Sequence, residues 1–150
     1  MPKKYGLPKF LAGTVSQEAY ERWLRRKAQA HVRRDRARGK ESALGERYRD
    51  LIHSAVVESG GRDAYTGKAL DWRLISKYDN DNSRSDGLKY KHAFALLPTV
   101  DHLADAKNQA AFRICGWRTN DAKHDLDMPE FLALCRAVLR HNGFIVKRGG

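Results

Sequence analysis

The chain is poor in cysteine, proline and acidic residues and has no long apolar run, and each shortage excludes something. Its two cysteines, Cys115 and Cys135, lie far apart and provide neither a disulfide framework nor a Cys-x-x-Cys zinc half-site. Two buried thiols are expected. No apolar stretch approaches the roughly 20 residues that cross a bilayer, and the opening MPKKYGLPKF lacks the apolar core of a secretion signal. A soluble, cytoplasmic protein with no membrane partner is expected. Four prolines are thinly spread, and there is no low-complexity tract or internal repeat. With 41% hydrophobic residues in 150, the length suits one compact unit with a modest core.

What is abundant is positive charge. Lys and Arg number 29 against 18 Asp and Glu, a net charge of +11. Residues 1–40 hold twelve of those cations and only three of the acids, so the basic character belongs to the N-terminal arm. A polyanion is the natural partner, because each neutralised phosphate releases counterions; a solvated cationic helix or one lying on anionic lipid has the same composition.

In GTVSQEAYERWLRRKAQAHVRRDRARGK, Thr14 and Gln17 have capping-box spacing, so a helix is expected there. Tyr20, Trp23, Leu24, Ala28, His31 and Val32 recur on one side, while Arg22, Arg25, Arg26, Arg33, Arg34 and Arg36 occupy much of the rest. A second amphipathic segment, Glu41 to Ser59, stops at Gly60-Gly61. Residues 1–60 therefore read as a basic helical hairpin, and residues 61–150 as a core packed with it. KHAFALL and FRICGW read as two short antiparallel strands. DNDNSRSDG, Asp79 to Gly87, reads as an exposed loop whose spacing does not fit an EF-hand. In the last helix Asp127 caps, Pro129 lies in the first turn, Glu130 completes the box, and Phe131, Leu132, Leu134, Cys135, Val138 and Leu139 form a stripe expected to be buried.

One stretch carries chemistry. In PTVDH, Asp101 and His102 stand where a strand ends, and alternation along an extended backbone points them to opposite sides. Histidine takes up a proton near neutral pH, and a hard cation takes oxygen ligands such as Asp and Asn. Asn120, downstream, could close such a site; His124 would share its face if RTNDAKHDL is helical. His31 reads as packing, His53 and His141 have no partner in sequence, and His92 reads as surface. Trp23, Trp72 and Trp117 read as core.

LPTVDHL…FRICGWRTNDAKHDL resembles the ββα-metal core of HNH endonucleases over about residues 93 to 126. The upstream DAYTGKAL is similar to the C-x-x-T-G-x-x-L that often precedes that core, with Thr66, Gly67 and Leu70 matching. The resemblance implies an α+β fold, with a ββα-metal core between the N-terminal helical hairpin and a C-terminal helix. It implies Asp101 and Asn120 as ligands of one divalent cation, magnesium first, with manganese, nickel or zinc as substitutes. His102 would be the general base and Lys123 would face phosphate. His124 could replace or join Asn120, since colicin-type members use helix histidines four apart. Asp63, Gly116 and Thr119 stand where relatives often carry cysteines, so no structural zinc is expected. The middle Asn that steadies the histidine loop has its nearest counterpart in Asn108. The implied activity is metal-dependent phosphodiester hydrolysis of DNA. Duplex DNA would be held with little sequence readout by Arg22, Arg25, Arg26, Arg33, Arg34, Arg118 and Lys123. The alternatives are a non-catalytic nucleic-acid-binding or assembly protein with a degenerate core, and a toxin nuclease neutralised by a partner.

Overall fold

A computed structural model describes residues 3–40, 43–77, 87–103 and 111–149. The architecture is α+β, with five helices and one two-stranded antiparallel sheet among the described residues. Helix α1, Gln17–Ala37, begins two residues later than the Thr14 box suggests: Ser16 is the N-cap, and its hydroxyl accepts from Ala19 N at 3.1 Å. Gln17 is drawn elsewhere. Its amide accepts from Leu7 N and donates to Tyr5 O, both at 2.8 Å, which clamps the N-terminal segment onto the helix. Helix α2, Gly45–Ser59, starts after the expected Glu41, which lies outside the described residues, and ends at Gly60 in a left-handed turn (φ 58°).

The expected apolar side of α1 is the buried side, with Tyr20, Trp23, Leu24, Ala28, His31 and Val32 joined by Asp35. It packs against Tyr48, Ile52, Ala55 and Val56 of α2 and against Trp72, Ile75, Val100, Phe112 and Ile114 in one continuous core. The pairings Tyr20 with His53 and Asp35 with Tyr48 run the two helices antiparallel.

KHAFALL is not a strand. Leu88–Ala93 forms a short helix, α3, and turns follow before the chain extends. Lysine, alanine and leucine favour helix, and the extended run waits for Pro98, Thr99 and Val100. Strand β1, Pro98–Leu103, then pairs with β2, Ala111–Gly116, in a register that sets Val100 opposite Ile114, Asp101 opposite Arg113 and His102 opposite Phe112. Helix α4, Trp117–Lys123, follows β2 without a linker.

A buried carboxylate ties these parts together. Asp63 (2% exposed) opens the DAYTG turn, where its Oδ1 accepts from Tyr65 N at 2.8 Å and Thr66 N at 3.2 Å. Its Oδ2 reaches across to Gly116 N at 3.0 Å and the Thr119 hydroxyl at 2.6 Å. The three residues that stand in the place of cysteines thus meet, and hydrogen bonds join the turn to the β2–α4 junction. Burial would raise the Asp63 pKa, but the bonds from Thr119, Gly116, Tyr65 and Thr66 outweigh it and hold it below the usual carboxylate value. Gly116 allows the approach: a Cβ there would meet Ala95 O at 3.0 Å and Asp63 Oδ2 at 3.3 Å.

Helix α5, Met128–His141, has the expected capping box, with Asp127 Oδ1 on Glu130 N (2.9 Å) and Glu130 Oε2 on Asp127 N (3.0 Å). Its stripe, however, is not buried. Leu132, Leu134, Val138 and Leu139 are exposed, and none of the helix's residues is buried. Cys135 is half-buried, so only Cys115 is a fully buried thiol. Helical periodicity specifies which residues share a face; whether another element meets that face is a tertiary matter.

Replacing Asp63 by Ala strands its donors and should cost about 3–5 kcal/mol in urea unfolding. Val138→Ser, on the exposed stripe, should change stability by less than about 0.5 kcal/mol.

Candidate functional site

The alternation of β1 separates Asp101 from His102, as the sequence suggests, and gives them unlike surroundings. Asp101 is buried on the sheet face that Tyr65 and α4 cover. The Tyr65 hydroxyl donates to its Oδ2, and the Lys123 ammonium stands 3.0 Å from the same oxygen, the two side chains 8% and 4% exposed. Lys123 also lies 5.6 Å from the Tyr65 ring centroid. Lys123, expected to face phosphate, therefore neutralises a carboxylate inside the fold.

His102 points the other way, into the seam between the sheet and the helical hairpin. Its ring stacks on cross-strand Phe112, with centroids 4.9 Å apart and planes at 27°. Its Nδ1 faces Asp35 Oδ1 at 3.5 Å, and Asp35 is held in turn by a short hydrogen bond from the Tyr48 hydroxyl. The ring of His31 lies 5.6 Å away. Nε2 of His102 is buried and has no hydrogen-bond partner among the described residues. Burial, opposed by Asp35 and reinforced by Lys40 and Arg38, lowers the His102 pKa, so the imidazole is neutral near pH 7. His31 is pushed down to about 4, chiefly by burial and then by Arg34. The arrangement places a neutral imidazole that faces a buried carboxylate beside a second neutral imidazole.

Beside this seam lies a cleft of about 490 Å³ between α1 and the β1–α4 end of the sheet. Arg26, Lys27, Arg33, Arg34, Thr99 and Asn120 are among its lining residues. Lys27 Nζ donates to Thr99 Oγ1 at 3.1 Å, and Arg26 donates to Ile75 O at 3.3 Å. Burial first, then Arg26 and Arg34, lower the Lys27 pKa to about 8. Of the remaining cations, Arg22 and Arg25 are exposed on α1, and Arg118 is exposed on α4.

The residues expected to hold a divalent cation are not gathered. Asp101 is paired with Lys123, and Asn120 opens into the cleft. His124 is the C-cap of α4 (φ 50°), where the helix has ended, and its exposed ring turns to Asp125 at 3.2 Å. Among the described residues no three His, Cys, Asp or Glu side chains form a group that could hold a metal. As arranged, these side chains do not fit a divalent cation, because an ammonium already occupies the carboxylate. Asn108 lies outside the described residues, as do Asp79 and its loop through residue 86.

Sequence reasoning missed Asp35, Tyr48, Tyr65 and Lys27. Asp35 left a signal: a lone acid within an arginine run, four residues after His31 and therefore on the buried side. Lys27 and the two tyrosines left none, since their partners come from distant segments. No protein-family model matches the chain, and no curated protein or solved structure matches it. Among the described residues, no helix is long and apolar enough to cross a membrane.

Because folding lowers the His31 pKa from 6.5 to about 4, the unfolded chain binds the extra proton between those values. Stability should fall as pH drops through that window, by on the order of 3 kcal/mol from this residue, and level off below it. His31→Phe should flatten that part of the curve in denaturation measured from pH 7 to 4.

Proposed function

We propose that the chain is an HNH-type endonuclease that hydrolyses phosphodiester bonds in nucleic acid, DNA first, with His102 as its general base. The observation that carries this reading is the state of His102: neutral, facing a buried carboxylate at Nδ1, and without a partner at Nε2 among the described residues, on the first strand of a β–β–α unit. A buried polar atom without a partner calls for an explanation, and a proton-accepting role is one. Nε2 takes the proton of the attacking water. Asp35 stabilises the imidazolium that forms, and the Tyr48 hydroxyl keeps Asp35 in place. The cationic face of α1 supplies affinity by neutralising phosphates, which positions a strand without reading its bases.

Purified protein should convert supercoiled plasmid to nicked or linear DNA, assayed in parallel with magnesium, manganese and EDTA. His102→Ala should lower the rate at least about a hundredfold, the scale of a lost general base. Cleavage by His102→Ala at the parental rate would falsify the assignment.

The Asp101–Lys123 pair favours a second reading, a nucleic-acid-binding protein whose core no longer cuts. A lysine that seals the strand-end carboxylate leaves the fold intact and the cationic face free. On that reading DNA binding weakens steeply with salt, no divalent metal elicits cutting, and Asp101→Asn binds DNA like the parent.

A further inference from the structure

We propose that the cleft between α1 and the β1–α4 end of the sheet receives one unpaired nucleotide of a strand, its phosphate held by Lys27, Arg26 and Arg34 and its base against Trp117. The inference rests on the nucleic-acid reading above and goes beyond it by naming the strand state that the protein selects. Four cationic side chains line the cleft, and no carboxylate does. Among the described residues none of the four forms an ion pair. Burial first, and then the neighbouring charges of Arg26 and Arg34, disfavour the protonated form of Lys27; an anion among the cations offsets the part that their repulsion contributes. Apolar and aromatic side chains share the lining, with Trp117 and Ile75 facing the same space as the cations. Phosphate-binding cations beside an aromatic wall are the two components of single-strand recognition.

Size decides between strand states. A cleft of about 490 Å³ lies within the range of sites for one small ligand, roughly 300–1,000 Å³. A duplex, whose grooves alone are roughly 6 and 12 Å wide, can lie across the rim but cannot enter. An unpaired nucleotide can.

Trp23 and Trp117 both line the cleft, so intrinsic fluorescence reports its occupancy. The full-length protein is titrated with a ~10-nucleotide oligothymidylate, with a blunt duplex, with thymidine monophosphate and with inorganic phosphate. The single strand should quench the signal and bind about tenfold or more tighter than the duplex. Lys27→Met should weaken the single strand by about tenfold or more while leaving duplex binding nearly unchanged. Should Lys27→Met fail to fold, Arg34→Ala, at an exposed position, should weaken the single strand more than the duplex, whose backbone Arg34 also meets. Equal affinity for duplex and single strand, or single-strand affinity insensitive to both variants, overturns the proposal. Mononucleotide or phosphate bound as tightly as the strand also overturns it, assigning the cleft to a small ligand. Plasmid cleavage without selective strand binding defeats only this inference, whereas selective binding without cleavage defeats only the nuclease reading.

Discussion

The short turn at residues 63–67 and the β2–α4 junction are held together by one buried carboxylate, that of Asp63. The Asp101 side of the site depends on that junction being placed. It sets where α4 starts, and so where Lys123 meets Asp101 and where Asn120 opens into the cleft. A zinc ion would do the same work through four strong bonds. Four hydrogen bonds to one ionised group do it here, provided that the site stays dry and Gly116 leaves room.

The second dependence runs through the helical hairpin, which is more than a basic arm. Asp35 on α1 and Tyr48 on α2 reach the imidazole of His102, while Tyr20, Trp23 and Ile52 form part of the core beneath. One helix thus shows arginines to solvent, a lysine to the cleft and an acid to the sheet. Its three roles follow from the 100° step between successive residues. The two faces of β1 divide the side chains in the same way: charge neutralised on the Asp101 side, a neutral imidazole kept on the His102 side.

Much of this was legible in the sequence, and the parts that were not share a cause. The buried side of α1, the end of α2 at Gly60, the strand FRICGW and the Asp127–Glu130 box follow from local spacing and capping chemistry. The opposed directions of Asp101 and His102 follow from strand geometry. KHAFALL was misleading because a short apolar run suits helix and strand alike. The expected burial of the α5 stripe assumed a partner that the described fold does not supply.

What the sequence determined by itself is therefore periodic and local: where helices and strands run, which residues share a face, and that the positive charge lies on the N-terminal arm. Only the tertiary structure decided the pairings. Lys123 belongs to Asp101 rather than to phosphate, Asp35 belongs to His102, and Lys27 belongs to the cleft. The reason is physical. Local conformation is set by dihedral and capping preferences within a few residues, whereas the partner of a buried charge is whatever group the closed core brings within about 4 Å of it.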